Sequence, residues 1–286
     1  MSTGRRVSAL LGYLNYDMML VAHISGSRRF LHTLGVDLDE CVLPASELNT
    51  PRRIFERQIR YWDYRPMPTE PSVIVSPADA RVLVGSLCDQ SAFFLKEKFF
   101  GYEELLGEQQ RRWLQVFDRG DFAIFRLTPD KYHYNHSPVA GRVADFYTVE
   151  GRFHSCNPGA VVALTTPYSK NRRVVTIIDT DVPGGSGIGM IAMIEVVAMM
   201  IGHIEQACSE TRYDSPRPLE TGMFIERGAV KSLYRPGSST DVLLFQKGRI
   251  RFDGDLLANM QRADVFSRFT HGFGRQLVET DIRVRA

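Results

Sequence analysis

Two histidines near the middle of the chain have a spacing that could serve proton chemistry. His133 and His136 lie three positions apart among aromatic residues, directly after a strand-like run. Imidazole is the side chain whose ordinary pKa is nearest neutrality, so a histidine pair can give and take protons. No Glu or third His lies at the offset of a zinc-protease motif, so the two histidines could supply at most two ligands of a metal site. A structural pair, hydrogen-bonded within the fold, is the alternative interpretation.

Asp79 ends a Ser-Pro-Ala-Asp segment that follows a run of β-branched residues. An Asp shortly after a Pro is typical of a turn, because both residue types suit turn geometry. The functional alternative is an acid that orients an imidazole and stabilises its charged form through a hydrogen bond. The sequence leaves both interpretations open.

A serine-rich turn lies near the C-terminal end of the chain. Residues 236–240 read Pro-Gly-Ser-Ser-Thr and run directly into an apolar, strand-like segment. A turn before a buried strand is the simple interpretation. The chemical alternative is serinolysis, in which a strained peptide bond presents its carbonyl to the hydroxyl of the next residue. Gly237 would permit the unusual backbone dihedrals that such strain requires.

A glycine-rich stretch at residues 183–189 resembles a phosphate-binding loop only superficially. It lacks a Gly-Lys-Ser/Thr ending and a complete G-x-G-x-x-G pattern. We therefore predict a turn between two strands.

Apolar periodicity divides the chain into a helical part and a β-rich part. Apolar residues three and four apart from Ser8 to about Leu38 predict N-terminal helices, and a short helix is expected over residues 54–59. A further helix is predicted over residues 102–117. Strands are predicted at residues 72–75, 81–87, 122–127, 161–165, 174–178 and 242–245. The predicted fold is α+β, with a helical segment at 1–66 packed on an antiparallel or mixed sheet core at 67–286.

Charge and cysteine content exclude several classes of protein. Thirty-five basic and thirty-three acidic residues leave a net charge of +2, which does not predict a nucleic-acid partner. The four cysteines lie far apart, so neither a zinc knuckle nor a disulfide framework is indicated, and a reducing cytoplasm is expected.

Neither apolar stretch of the chain predicts a membrane span or a cleavable signal peptide. The run from Ile188 to Ile204 carries Glu195 at its centre, and a charge at mid-bilayer costs about 2.5–3.5 kcal/mol. A buried strand or core helix is expected there. Asn15 and Asp17 interrupt the N-terminal run, which argues against a signal peptide.

Five motifs in a fixed order resemble the phosphatidylserine decarboxylase family between about Arg28 and Phe252. Each is weak alone, but their order makes the set specific. The matching segments are 55–59 with 65–67, 76–79, 98–107, 132–141 and 157–158 with 171–174, and they end in Gly-Ser-Ser-Thr at 237–240.

The resemblance implies a proenzyme that cuts itself before a serine and converts that serine into a pyruvoyl cofactor, without metal or pyridoxal phosphate. It implies a long N-terminal β chain, a short C-terminal α chain, and decarboxylation through a Schiff base to phosphatidylethanolamine and CO2. By position, Asp79 and His136 would form the triad with the serine, and His133 would serve substrate binding or decarboxylation. Backbone donors or Thr240 would stabilise the oxyanion.

The reactive serine is either Ser238 or Ser239. The family cleaves between Gly and Ser, which favours Ser238 after Gly237. An ungapped alignment from Gly228 to Phe245 instead places Ser239 on the reactive position, and a one-residue slip would turn the following strand to the wrong face. We favour Ser239, with cleavage after Ser238, and keep Ser238 as the alternative.

Several positions depart from the family pattern and leave the substrate open. These positions are Ala80, Glu195, Val197, His203 and Ser232. Phosphatidylserine is the expected substrate. The alternatives are a soluble amino acid or conjugate, or an uncut homologue that serves as a binding protein.

The N-terminal segment could form an interfacial amphipathic helix, although packing on the protein's own core is equally open. The residues of this helix are Leu10, Leu11, Leu14, Met18, Met19 and Val21, flanked by Arg5, Arg6, Arg28 and Arg29. We expect a cytoplasmic protein with peripheral contact on the inner face of the cell membrane, with a homodimer as a further expectation.

Overall fold

The computed structural model describes residues 35–88, 98–164, 166–198, 203–236 and 239–286, together with residues 2, 3, 10, 13 and 16. Its main feature is an eight-stranded sheet in which every neighbouring pair is antiparallel. In spatial order the strands are β10 (Phe224–Ile225), β5 (Gly141–Val149), β7 (Arg173–Asp179), β8 (Met190–Val196), β12 (Ser239–Phe245), β3 (Asp121–Leu127), β2 (Ala80–Ser86) and β13 (Thr280–Ile282).

The strand β12 is central to this sheet and is buried at all seven positions. It lies between β8 and β3, with Asp241 opposite Glu195 on one side and Ser239 opposite Leu127 on the other. Continuous apolar residues such as Val242 and Leu243 fit a strand that is covered on both faces.

A three-stranded antiparallel sheet covers one face of β8 and β12. Its order is β4 (Tyr134–His136), β11 (Val230–Tyr234) and β9 (Ile204–Ser209). Side chains of β4 and β11 reach Glu195, and Tyr234 reaches Asp241, so the two sheets are in direct contact. Two short strands, β1 (Ser2–Thr3) and β6 (Phe153–His154), form a separate pair.

Eight short helices are present in the described residues. They are α1 (Pro51–Phe55), α2 (Tyr61–Tyr64), α3 (Tyr102–Leu106), α4 (Arg111–Val116), α5 (Pro158–Ala163), α6 (Pro167–Lys170), α7 (Gly254–Met260) and α8 (Arg268–Phe273). The α+β prediction is confirmed. The sheet is antiparallel, and the run that begins at Ile188 forms β8, followed beyond residues 199–202 by β9, which begins at Ile204.

The predicted strands at 81–87, 122–127, 174–178 and 242–245 are confirmed with small shifts at their ends. The predicted strand at 72–75 is wrong, because these residues belong to no strand. The predicted strand at 161–165 is also wrong, because residues 158–163 form α5. The Asn157 side chain accepts a hydrogen bond from the backbone of Ala160 at 2.8 Å, and Pro158 occupies the first helical position.

The helix predicted over 102–117 is two helices, because Gly107 ends α3 at a φ of +97°. The helix expected at 54–59 lies instead at 51–55. Residues 183–189 form the predicted connection between β7 and β8. The predicted N-terminal helices fall almost entirely on residues outside the described ones, and the division at residue 66 stays a prediction.

Candidate active site

Ser239 is the first residue of β12 and is fully buried. Its Oγ has no hydrogen-bond partner among the described residues. Gly237 and Ser238 lie outside those residues, so the structure describes one of the two candidate serines. A buried hydroxyl that makes no hydrogen bond costs about 1–3 kcal/mol, so its position needs an explanation, and a role in chemistry is one such explanation.

Ser239 faces the three-stranded sheet. Neighbouring side chains of a strand point to opposite faces, so Ser239 shares a face with Asp241. The Asp241 Oδ1 atom lies 2.7 Å from the Tyr234 hydroxyl of β11, which identifies the face that the small sheet covers. Thr240 points the other way, and its buried hydroxyl also has no partner in the described part of the chain.

Asp79 is held by an arginine rather than by a histidine. Arg65 contacts both carboxylate oxygens of Asp79, with Nε at 3.0 Å from Oδ1 and Nη2 at 2.7 Å from Oδ2. The backbone N–H of Val284 donates to the same carboxylate at 2.8 Å. Arg65 also binds Glu40. Burial opposes the charge of Arg65, but its hydrogen bonds to the two carboxylates outweigh burial and raise its pKa.

His136 is a fully buried, neutral imidazole with both ring nitrogens engaged. Its Nδ1 lies 2.8 Å from the carbonyl oxygen of Gly228, which can only accept, so Nδ1 carries the hydrogen. Nε2 lies 2.9 Å from the Tyr132 hydroxyl and accepts from it. Burial lowers the pKa of His136 to about 4, although the bond to Gly228 opposes this shift.

The segments of Asp79 and His136 are brought together, but their side chains are not hydrogen-bonded to each other. The backbone N–H of His136 donates to the carbonyl of Pro77 at 2.8 Å, and the charge of Asp79 reaches the imidazole. Asn135 contacts Glu195 of the large sheet, so its neighbour His136 faces away from that sheet. Among the described residues, no hydrogen bond joins Asp79, His136 and Ser239.

His133 is also fully buried and stacks on Phe55, with ring centroids 3.5 Å apart. Neither ring nitrogen has a hydrogen-bond partner within the described segments. Burial, followed by the charge of Arg57, lowers the pKa of His133 well below its ordinary value. Phe55 belongs to the same hydrophobic core as Val242 and Leu244 of β12, so His133 borders that core.

A buried polar network between the two sheets was not predicted from the sequence. Its members contact Glu195 of β8, and they are Asn135, Gln206, Lys231 and Ser232. The sequence singled out Glu195 and Ser232 only as separate departures from a family pattern. Glu195 at the centre of one apolar run and Asp241 at the head of another were the signals that could have drawn attention to this layer.

Comparisons with known proteins agree with the motifs. A sequence model described as phosphatidylserine decarboxylase matches residues 52–269. The phosphatidylserine decarboxylase proenzyme of Chlamydia trachomatis serovar D is 31% identical over 229 residues, which cover 80% of this chain and 70% of that protein. The proenzyme of Bordetella petrii is 31% identical over 237 residues, or 78% of each chain. Proenzyme 2 of Oryza sativa subsp. japonica is 31% identical over 232 residues, 80% of this chain and 34% of that protein.

Proposed function

Because this chain belongs to the phosphatidylserine decarboxylase family, we propose that it is a self-processing proenzyme that converts phosphatidylserine to phosphatidylethanolamine and CO2. The observation that carries the proposal is Ser239, whose buried hydroxyl has no partner among the described residues and begins the central strand. Proenzymes of the family carry a pyruvoyl group made from their own serine. A serine free of competing hydrogen bonds fits that conversion.

Processing requires the Ser239 hydroxyl to attack the carbonyl carbon of residue 238. The acyl group moves from the nitrogen of Ser239 to its oxygen, so that an ester replaces the amide. Loss of the Cα proton of residue 239 breaks the ester, frees the carboxylate of residue 238 and leaves dehydroalanine. Water converts the dehydroalanine to a pyruvoyl group and ammonia. When present, that group accepts the electrons that remain when the substrate carboxylate leaves as CO2.

His136 and Asp79 are proposed as the base and its orienting acid in self-cleavage, and His133 as the group that serves decarboxylation. The backbone contact between the two segments supports the first pair. Their present partners oppose it, because Tyr132 occupies Nε2 of His136 and Arg65 binds Asp79. Cleavage by this pair therefore requires His136 to leave Tyr132 and turn toward β12.

Three variants and a control test these roles. We expect Asp79→Asn and His136→Ala to remain uncut, because removing a triad member costs several orders of magnitude in rate. We expect His133→Ala to be cut but inactive. His271→Ala, at an exposed histidine of α8, is the control and should be cut and active. Normal cleavage of His136→Ala together with an uncut His133→Ala would show that His133 is the base in self-cleavage and that His136 is not.

The substrate is proposed from the family and is tested directly. Purified, cut protein should release CO2 from phosphatidylserine vesicles and not from free serine or its soluble conjugates. The buried network around Glu195 and Lys231 favours the second candidate, a soluble amino acid or conjugate, because it joins two positions that depart from the family pattern, Glu195 and Ser232. Release from a soluble substrate alone would select that candidate.

We propose peripheral contact with the inner face of the cell membrane through the N-terminal segment. No helix within the described residues is long and apolar enough to cross a membrane. Leu10 of the predicted interfacial helix is 57% exposed, which supports an apolar face open to lipid, whereas Tyr16 of the same segment packs against Phe55 of the core. The other residues of the predicted interfacial helix lie outside the described ones.

Flotation on liposomes of anionic lipid tests this contact in the full chain. Leu10→Glu together with Leu14→Glu should reduce flotation, because a carboxylate opposes both burial in lipid and approach to an anionic surface. Leu257→Glu, at an exposed leucine of α7, is the control and should float like the unaltered chain. Equal flotation of all three proteins would show that the N-terminal segment does not bind the membrane.

A further inference from the structure

Two carboxyl groups share one buried layer next to Ser239. Glu195 of β8 and Asp241 of β12 lie directly opposite each other, and both are fully buried. In the described part of the chain, Lys231 is the cation of this layer, with Nζ at 2.6 Å from Glu195 Oε2. Like charges opposite each other repel, and a buried charge without a partner is costly. One lysine neutralises one carboxylate, so the second carboxyl must be neutral.

Glu195 is the ionised member of the pair. It accepts hydrogen bonds from Lys231, from Asn135 Nδ2 at 3.1 Å, from Gln206 Nε2 at 3.1 Å and from the Ser232 hydroxyl. All four partners of Glu195 are hydrogen-bond donors, so both of its oxygens act as acceptors, as in an ionised carboxylate. Burial raises the pKa of Glu195, but Lys231 and these donors outweigh it and lower the pKa.

Asp241 has the surroundings of a neutral acid. Its Oδ1 lies 2.7 Å from the Tyr234 hydroxyl, and its Oδ2 has no partner in the described segments. The same hydroxyl lies 3.0 Å from the carbonyl oxygen of Thr240. A phenol has one hydrogen and cannot donate to both oxygens. Both contacts are hydrogen bonds only if Asp241 donates to Tyr234 and Tyr234 donates to Thr240.

The charges around Asp241 agree with this assignment. Burial and the facing charge of Glu195 raise the pKa of Asp241 well above its ordinary value, and the opposing effects of Tyr234 and Lys231 are smaller. Glu195 faces it from β8, while Tyr234 and Lys231 face it from β11. Its cross-strand neighbour on β3 is Phe125, which carries no charge.

We propose that Asp241 is a positioning residue that works as a neutral acid: it donates its proton to Tyr234, which donates to the Thr240 carbonyl. This chain of two hydrogen bonds fixes the peptide unit between Thr240 and Asp241, one residue beyond Ser239. The inference rests on the proposed function, since it assigns a role beside the serine that is to react. If Asp241 were ionised, its carboxylate would accept the hydrogen bond from the Tyr234 hydroxyl, and the Thr240 carbonyl would lose that hydrogen bond.

Three variants separate a neutral acid from an ordinary buried carboxylate. Asp241→Asn keeps a donor in the same place, and we expect it to cleave itself at a rate close to that of the unaltered chain. Asp241→Leu has a similar size but no donor, and Tyr234→Phe removes the relay. We expect these two to cleave about 10-fold to 100-fold more slowly, because a small misplacement of a reacting group has costs of this order.

Protonation is measured separately on the uncut chain, in a Ser239→Ala background. An infrared band of a protonated carboxyl should be present and should disappear in Asp241→Asn. The folded chain also keeps a proton that the unfolded chain loses near its ordinary pKa of 3.8. As pH rises above that value, the free energy of unfolding should therefore fall relative to that of Asp241→Asn.

A missing band, no difference in pH dependence, or an Asp241→Asn variant that cleaves as slowly as Asp241→Leu would overturn the proposal. If Asp241→Leu does not fold, the comparison of Asp241→Asn with Tyr234→Phe decides in the same way. Failure of the proposed decarboxylation would leave the band and the pH dependence intact, because both are measured without cleavage.

Discussion

At the scale of single residues, the main question is which serine reacts. Ser239 occupies a register position in β12 whose side chain faces the three-stranded sheet, in the layer that contains Asn135 and Asp241. Its hydroxyl is buried without a partner in the described residues. A serine that only supported the fold would be expected to make a hydrogen bond. These properties fit a reactive Ser239, and the choice between Ser239 and Ser238 stays a prediction.

We predict that Ser239→Ala remains uncut and that, compared in the uncut His136→Ala background, it is at least as stable as the chain that keeps Ser239. The substitution removes the attacking oxygen together with a buried hydroxyl that makes no hydrogen bond, and such a hydroxyl costs about 1–3 kcal/mol. Ser238→Ala is the matched control and should be cut slowly or normally. Denaturing gels and urea unfolding measure both properties. Cleavage of Ser239→Ala with none in Ser238→Ala would move the reactive serine to position 238.

The neutral state of His136 predicts how stability depends on pH. The pKa falls from its ordinary 6.5 to about 4 on folding, so the unfolded chain binds the extra proton first as pH decreases. The free energy of unfolding should therefore fall from pH 6.5 toward pH 4, by at most about 3 kcal/mol from this residue.

Urea unfolding across that range measures the decrease in the uncut Ser239→Ala chain, and His136→Asn in the same background isolates it. The asparagine amide can still donate to Gly228 but does not titrate, so the variant should lose less stability as pH falls. The comparison also cancels the contribution of Asp241, which has the opposite sign. Equal slopes for the two proteins would show that His136 is not held neutral.

At the scale of secondary-structure elements, β12 depends on close packing at its C-terminal end. A Cβ added to Gly120 would lie 1.9 Å from the carbonyl oxygen of Phe245, the last residue of the strand. We predict that Gly120→Ala lowers the free energy of unfolding by about 1–3 kcal/mol, because the backbone must move. Gly254→Ala, which meets nothing within 4 Å, should be neutral or slightly stabilising. Equal stabilities in urea unfolding would contradict this account of the strand end.

Local patterns predicted the central strands and failed where two local signals competed. Residues 242–245 are an apolar run, residues 122–127 are apolar except for Arg126, and both are strands in the structure. The β-branched composition at 161–165 suggested a strand, but the cap at Asn157 and the proline at Pro158 begin a helix. The Asn-Pro pair at 157–158 is a helix-start signal in the sequence itself, and it outweighs the β-branched composition that follows.

Contacts between distant elements could not be predicted in the same way. Lys231 and Glu195 are 36 positions apart, and only the pairing of the two sheets brings them together. The Asp79 motif was identified from the sequence, but its arginine partner depends on how the chain folds back from α2. Residue types therefore indicated the chemistry, while the partners of each side chain required the structure.

At the scale of the whole molecule, the proposed cut lies between two strands that are consecutive in sequence, β11 of the three-stranded sheet and β12 of the eight-stranded sheet. A fragment that begins at Ser239 carries β12, α7, α8 and β13. Its strand β12 stays paired with β8 and β3, and β13 pairs with β2 at the sheet edge. The fragments should therefore remain associated under native conditions and separate only when the protein unfolds.

Intact mass spectrometry of the purified protein under denaturing conditions tests self-processing most directly. We predict two chains, the smaller beginning at residue 239 with a pyruvoyl group in place of the serine. Under native conditions the same sample should give one noncovalent complex of both chains. A single uncut chain of 32.4 kDa, or a smaller chain that begins with an unmodified serine, would contradict the account.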